Sequence, residues 1–159
     1  MYFTANGVNK DQDPYYSHLY RINLNGTGLK TINSGDFTTN VSLSDSNKFF
    51  VNNYSRVNTT PKAELRNNNG NVIMNLEEAD LSQLFATGYK FPETFRMKAD
   101  DGITDIYGVM YKPYDFDSTK VYPLLEYVYP GPQTEAVNKS FSLIHAHNSV
   151  IQSYCRMKF

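Results

Sequence analysis

The sequence predicts a mixed, mainly β fold, and three observations carry that reading. Tyr and Phe are abundant, with 13 and 10 copies, and Trp is absent. Aromatic side chains suit a half-buried pleated surface, and Asn and Gly suit the positive-φ positions of tight turns. Short apolar runs recur at regular spacing through residues 1–76, separated by clusters of Asn, Asp and Gly. One stretch, residues 77–88, changes to a helical period.

The elements follow in order. Met1–Asn6 opens as a strand, and Gly7–Pro14 is a polar loop. His18–Leu24 alternates, with Leu19, Ile22 and Leu24 set among polar residues. Asn25-Gly26 then turns the chain into Leu29–Ile32, since Asn-Gly between apolar runs is a strong hairpin signal. Residues 41–44 and 48–53 form the next pair around Asp45-Ser46-Asn47. Ala63–Arg66 and Val72–Leu76 form a third across Asn67–Asn71. This spacing suits the four-stranded blades of a β-propeller, although only about one and a half blades are present. Glu77-Glu78-Ala79-Asp80 reads as the acidic first turn of a helix, Leu81, Leu84 and Phe85 as its apolar stripe, and Gly88 as its stop. Strands resume at Phe91, with Phe95–Lys98 and Ile103–Lys112 on either side of Asp100-Asp101-Gly102. Val121–Tyr129 reads as a buried apolar strand that ends at a Pro-Gly-Pro loop. Residues 143–159 carry a helical apolar period.

Totals restrict the function classes. The chain has 159 residues, a formal net charge of −1 and a pI near 6.3, so no basic footprint points to nucleic acid. No run of 18 apolar residues is present to span a membrane. No signal segment precedes the first strand, and the abrupt opening within a strand pattern suggests a missing N-terminal portion. Cys155 is the single cysteine, which rules out an intrachain disulfide and leaves the redox compartment open. Five N-x-S/T triplets begin at Asn25, Asn40, Asn53, Asn58 and Asn138, a pattern that an Asn-rich chain also produces by chance.

Two motifs together resemble a known family. Ala99-Asp100-Asp101-Gly102 through Gly108-Val109-Met110-Tyr111-Lys112-Pro113 is similar to the hairpin that leads into the hydrolase domain of the dipeptidyl peptidase IV branch of the prolyl oligopeptidase family. Val121-Tyr122-Pro123-Leu124-Leu125 with Tyr129-Pro130-Gly131-Pro132 resembles that domain's first core strand and oxyanion loop. Residues 2–76 are similar to the family's final propeller blade, so the resemblance runs from about Met1 to Phe141.

The resemblance implies an organisation. Residues 1–76 would be the C-terminal part of a β-propeller, 77–90 a linker helix, 91–141 the start of an α/β-hydrolase domain and 142–159 a divergent tail, where a frame change or truncation near Ser142 is expected. Family members are serine peptidases that release N-terminal dipeptides, often X-Pro. They are often homodimeric, and commonly periplasmic, secreted or membrane-anchored. By the same resemblance Tyr129 is the oxyanion-hole residue, its phenol donating to the tetrahedral intermediate of the peptide substrate. Pro130 replaces the small residue that usually follows this tyrosine.

The remaining chemistry is sparse. No G-x-S-x-G occurs, and Ser142, Ser149 and Ser153 have no nucleophile elbow around them. His145 and His147 lack a third ligand, so no metal or cofactor is expected. His18 reads as structural and Cys155 as an incidental thiol. Glu77-Glu78 reads as a helix terminus, because the family's substrate-binding Glu pair lies earlier in its propeller. The expectation is a fragment of a dipeptidyl peptidase IV-like enzyme, inactive alone without its Ser/Asp/His triad. The alternatives are a partner chain that completes a split enzyme, or a free-standing β-rich module that binds peptide or glycan.

Overall fold

The computed structural model describes residues 1–128 and 137–142. Their contacts separate into two units, Met1–Leu81 with Lys139–Phe141, and the described residues from Ser82 to Asn138 together with Ser142.

The first unit holds two antiparallel sheets. Strands β1 (Tyr2–Asn6), β2 (Ser17–Arg21) and β3 (Lys30–Thr31) lie in that order, with Phe3 opposite Tyr20 and Thr4 opposite Leu19. Strands β4 (Thr38–Leu43), β5 (Phe49–Ser55), β6 (Lys62–Asn67) and β7 (Val72–Glu78) form an up-and-down sheet of four. The turn residues act where the sequence places them. Asn47 takes a φ of 53° and closes β4–β5, with its amide donating to the Ser44 carbonyl. The apolar core is small. Leu19, Ile32 and Phe50 meet at its centre, and Tyr2 and Val41 flank them. It joins the two sheets, because Leu19 lies on β2 and Phe50 on β5.

Gly70 shows how tightly the β6–β7 turn is set. Its φ is +93°, and a Cβ there would stand 2.0 Å from the Ile32 carbonyl oxygen. Only glycine combines that backbone conformation with that approach. Arg21 Nη1 and Lys30 Nζ donate to the Asn68 and Asn69 carbonyls of the same turn.

The acidic pair Glu77-Glu78 does not open a helix. Both residues lie in β7, paired with Ala63 and Lys62, and Lys62 Nζ stands 3.1 Å from Glu78. The Ala79 amide then donates to the Pro61 carbonyl, which extends the ladder one step further. A neighbouring strand with open hydrogen-bonding groups outweighs the weak preference of carboxylates for a helix terminus.

The second unit begins with helix α1, shortened to Ser82–Ala86, and Gly88 stops it at a φ of 87°. Phe85, Tyr89, Phe91 and Tyr114 form a cluster of edge-to-face and tilted rings, with centroids 5.4–6.2 Å apart. Strands β8 (Glu93–Lys98) and β9 (Asp105–Met110) form the expected hairpin, with Asp105 bound by Arg96 and Lys98.

The expected buried strand from Val121 does not form. Residues 121–128 carry no strand, and Val121 and Leu124 are 99 % and 84 % exposed. An apolar strand of this kind needs a hydrogen-bonding neighbour and cover on both faces. Among the described residues β8 pairs with β9 alone, and no third strand joins them. The predicted helix over 143–159 lies outside the described residues.

Candidate functional site

Tyr129, the residue on which the sequence argument rests, also lies outside the described residues, as do His145, His147 and Cys155. The described residues instead bring together two polar clusters, both in the first unit.

The first is a buried seam between the two sheets. Asn33 follows β3 and is completely buried. Its carboxamide oxygen accepts from the Leu19 amide at 2.6 Å, and its NH2 donates to Asn52 Oδ1 at 2.7 Å and Thr39 Oγ1 at 3.1 Å. One side chain thus bonds β2, β4 and β5. Thr39 Oγ1 in turn donates to the Ser17 carbonyl, and the Ser17 amide donates to Thr38 Oγ1. Alternation explains the placement: Asn52 lies two residues from Phe50, so both project to the same buried face of β5.

His18 extends the seam. Only 2 % exposed, it sets Nδ1 2.9 Å from the Asn33 carbonyl and Nε2 3.2 Å from Gln12 Oε1. Gln12 is itself held, since it accepts from Asn9 Nδ2 and donates to the Gly35 carbonyl. Burial pulls the His18 pKa below its ordinary value, against the smaller raising effects of the Asn33 carbonyl and Asp36. Neither ring nitrogen faces a hydroxyl or thiol, so His18 activates no nucleophile here. It is a structural histidine, as its place within a blade strand suggested.

The second cluster is charged and lies nearer the surface. Lys139 Nζ stands 2.7 Å from Asp13 Oδ2 and 4.8 Å from the centre of the Tyr15 ring. Arg56 pairs with Asp36. Burial, then Asp36 and Asp13, push the Tyr16 hydroxyl up to about 12. The Phe141 amide donates to Ser55 Oγ. Nearby on β5 and β6, Tyr54 donates to Glu64, which also binds Arg66. These contacts neutralise charge and fix strand ends. Among the described residues no three His, Cys, Asp or Glu side chains are placed to hold a metal ion. No helix among them is long and apolar enough to cross a membrane.

Sequence reasoning missed both clusters. Asn33 reads as one more turn residue in an Asn-rich chain, and the Asp13–Lys139 pair joins positions 126 residues apart. No local pattern signals either.

Residues 1–61 match the family model for the dipeptidyl peptidase IV N-terminal region. That span covers β1 to β5 and stops one residue before β6. The chain is 42 % identical over 53 residues to dipeptidyl peptidase 8 of Mus musculus and of Homo sapiens, a match covering 33 % of this chain and 6 % of theirs. It is 29 % identical over 143 residues to dipeptidyl-aminopeptidase B of Aspergillus niger, covering 86 % of this chain and 16 % of that one. The chain therefore spans a small part of the length of the curated relatives it matches.

Proposed function

Because the chain belongs to the dipeptidyl peptidase IV-like branch of the prolyl oligopeptidase family, we propose that it supplies the junction between the propeller and the hydrolase domain of such a serine peptidase. One observation carries the reading. The family match on residues 1–61 falls within a unit of two antiparallel sheets, and a separate unit begins at Ser82. In this reading the first unit is propeller wall, and β8–β9 with the segment after it is the start of the hydrolase domain. The fungal relative supports the second half, since its match extends over 86 % of the chain. The same relationship favours a peptidase over a free-standing binding module.

Within that reading Tyr129 is the oxyanion donor. A phenol O–H aimed at the developing negative charge stabilises the tetrahedral intermediate more than the ground state. The substrate would be a peptide with a free N-terminus, from which a dipeptide is released. The 159 residues contain no nucleophile elbow, so the Ser, Asp and His that act with Tyr129 belong to sequence beyond this chain.

The test is labelling with a fluorophosphonate, which reacts only with an activated serine, together with a Gly-Pro anilide assay. The chain alone is expected to give neither label nor turnover. Labelling of any of its serines would overturn the reading.

A further inference from the structure

Asn25 stands apart from the other four N-x-S/T asparagines. It occupies the loop between β2 and β3, where Asn25, Gly26 and Thr27 are all exposed. Its Oδ1 accepts from the Thr27 amide at 3.1 Å and from the Thr27 hydroxyl at 2.8 Å. Asn23 Nδ2 approaches the same hydroxyl at 3.2 Å, which fixes its direction. Gly26 allows the turn: its φ is +82°, and its amide donates to the Asn23 carbonyl.

The other four sites differ in kind. Asn40 and Asn53 face each other in the middle of β4 and β5. An extended strand sets residues i and i+2 about 7 Å apart, which holds the Ser42 hydroxyl away from the Asn40 carboxamide. Ser55, the hydroxyl partner of Asn53, is buried and accepts from the Phe141 amide. The Asn58 carboxamide oxygen is buried. Asn138 is half-buried and adjoins Lys139, which is fixed on Asp13.

We propose that Asn25 is an acceptor for an N-linked glycan when the chain is in a compartment that presents lipid-diphosphate-linked oligosaccharide. The chemistry suits the geometry. Nδ2 forms the bond to the sugar's anomeric carbon, and the bond from that carbon to the diphosphate oxygen breaks. The lipid diphosphate leaves with the electron pair, and the Nδ2 proton passes to a base of the transferase. Two donors on Oδ1 stabilise the charge that shifts onto that oxygen as Nδ2 loses its proton. A second observation points the same way. Leu24 and Leu29, on either side of the triplet, are 93 % and 55 % exposed. A bulky, solubilising glycan on Asn25 would cover them.

The test expresses the 159-residue chain behind a cleavable secretory leader in eukaryotic cells. Cell lysate and medium are both analysed, because a chain retained in the compartment is still glycosylated. Peptide N-glycosidase treatment in heavy-oxygen water marks each occupied Asn for mass spectrometry. The expected result is one glycan shift that is lost in Asn25→Gln and Thr27→Ala. It persists in Thr27→Ser and in the Gln variants at 40, 53, 58 and 138. Three results overturn the proposal: an unmodified wild-type chain, a shift that survives Asn25→Gln, or conversion of Asn25 to aspartate without a glycan.

Discussion

Asn33 Nδ2 donates to Asn52 Oδ1 at 2.7 Å where both side chains are fully buried, and this bond ties the two sheets of the first unit together. Asn33→Ala would leave the Leu19 amide and the Asn52 oxygen without their partner. A buried group stripped of its hydrogen bond costs about 1–3 kcal/mol. Asn52→Ala removes one bond and should cost less. A double-mutant cycle by chemical denaturation measures the pair. Coupling of about 1 kcal/mol is expected, and strictly additive losses would show that the bond does not join the sheets.

His18 gives the seam a pH dependence. Burial holds its folded pKa below the unfolded value of 6.5, so the folded chain binds fewer protons between the two. Stability is then fully present above about pH 6.5 and is lost as pH falls toward the folded pKa. Thermal melts between pH 8 and pH 5 should show a decline that His18→Gln flattens. An imidazole titration by NMR with a midpoint above the ordinary histidine value would contradict this sign.

Three tyrosines set the alkaline limit. Burial raises Tyr16, Tyr54 and Tyr111 to about 12, with Asp36 adding at Tyr16, the Glu64 hydrogen bond at Tyr54 and Tyr89 at Tyr111. Their folded forms keep protons that the unfolded forms lose above pH 10, so stability falls as pH rises from about 10 to about 12. Ultraviolet titration should show a late phenolate phase. Tyr54→Phe should shrink that phase while leaving the early one unchanged.

The strand pattern of the first unit was legible because it is local. Alternation, Asn-Gly and Asp-Ser-Asn turns placed the strands within a few residues of where they lie. The end of β7 was not legible, because Glu77 and Glu78 take their conformation from pairing with Ala63 and Lys62 rather than from their own propensity. The Asn33 and Lys139 contacts were invisible for the same reason: each is made by distant chain segments. His18 was read correctly as structural, since its strand context decided its burial. The role proposed for Tyr129 rests on family resemblance, because a tyrosine carries no local signal that marks it as an oxyanion donor.

Gly70 separates conformational strain from steric overlap. Gly70→Ala places a methyl group 2.0 Å from a backbone oxygen at a φ of +93°, so the β6–β7 turn must move off Ile32. Gly26→Ala has a similar φ of +82° but meets no atom within 4 Å. The Gly26 variant should cost about 1–2 kcal/mol, the strain of a left-handed residue, and the Gly70 variant clearly more. Denaturation midpoints compare them directly. Equal losses would mean that the turn relaxes freely and that the contact with Ile32 contributes nothing.

The segment before Tyr129 makes the last prediction. Val121, Leu124 and Val128 are exposed, and among the described residues no strand pairs with residues 121–128. Amide protons without a ladder partner exchange rapidly, so hydrogen exchange by mass spectrometry should find this segment deuterated at the earliest times, while Phe49–Ser55 stays protected. The difference follows from topology: among the described residues β5 is bonded on both sides, by β4 and β6, and residues 121–128 join no sheet. If the proposed role of Tyr129 is right, protection of 121–128 should rise when a chain carrying the rest of a hydrolase sheet is added. A strand can aim a phenol at an oxyanion only once it is itself held. Protection in the chain alone would show that the segment finds a partner strand within these 159 residues.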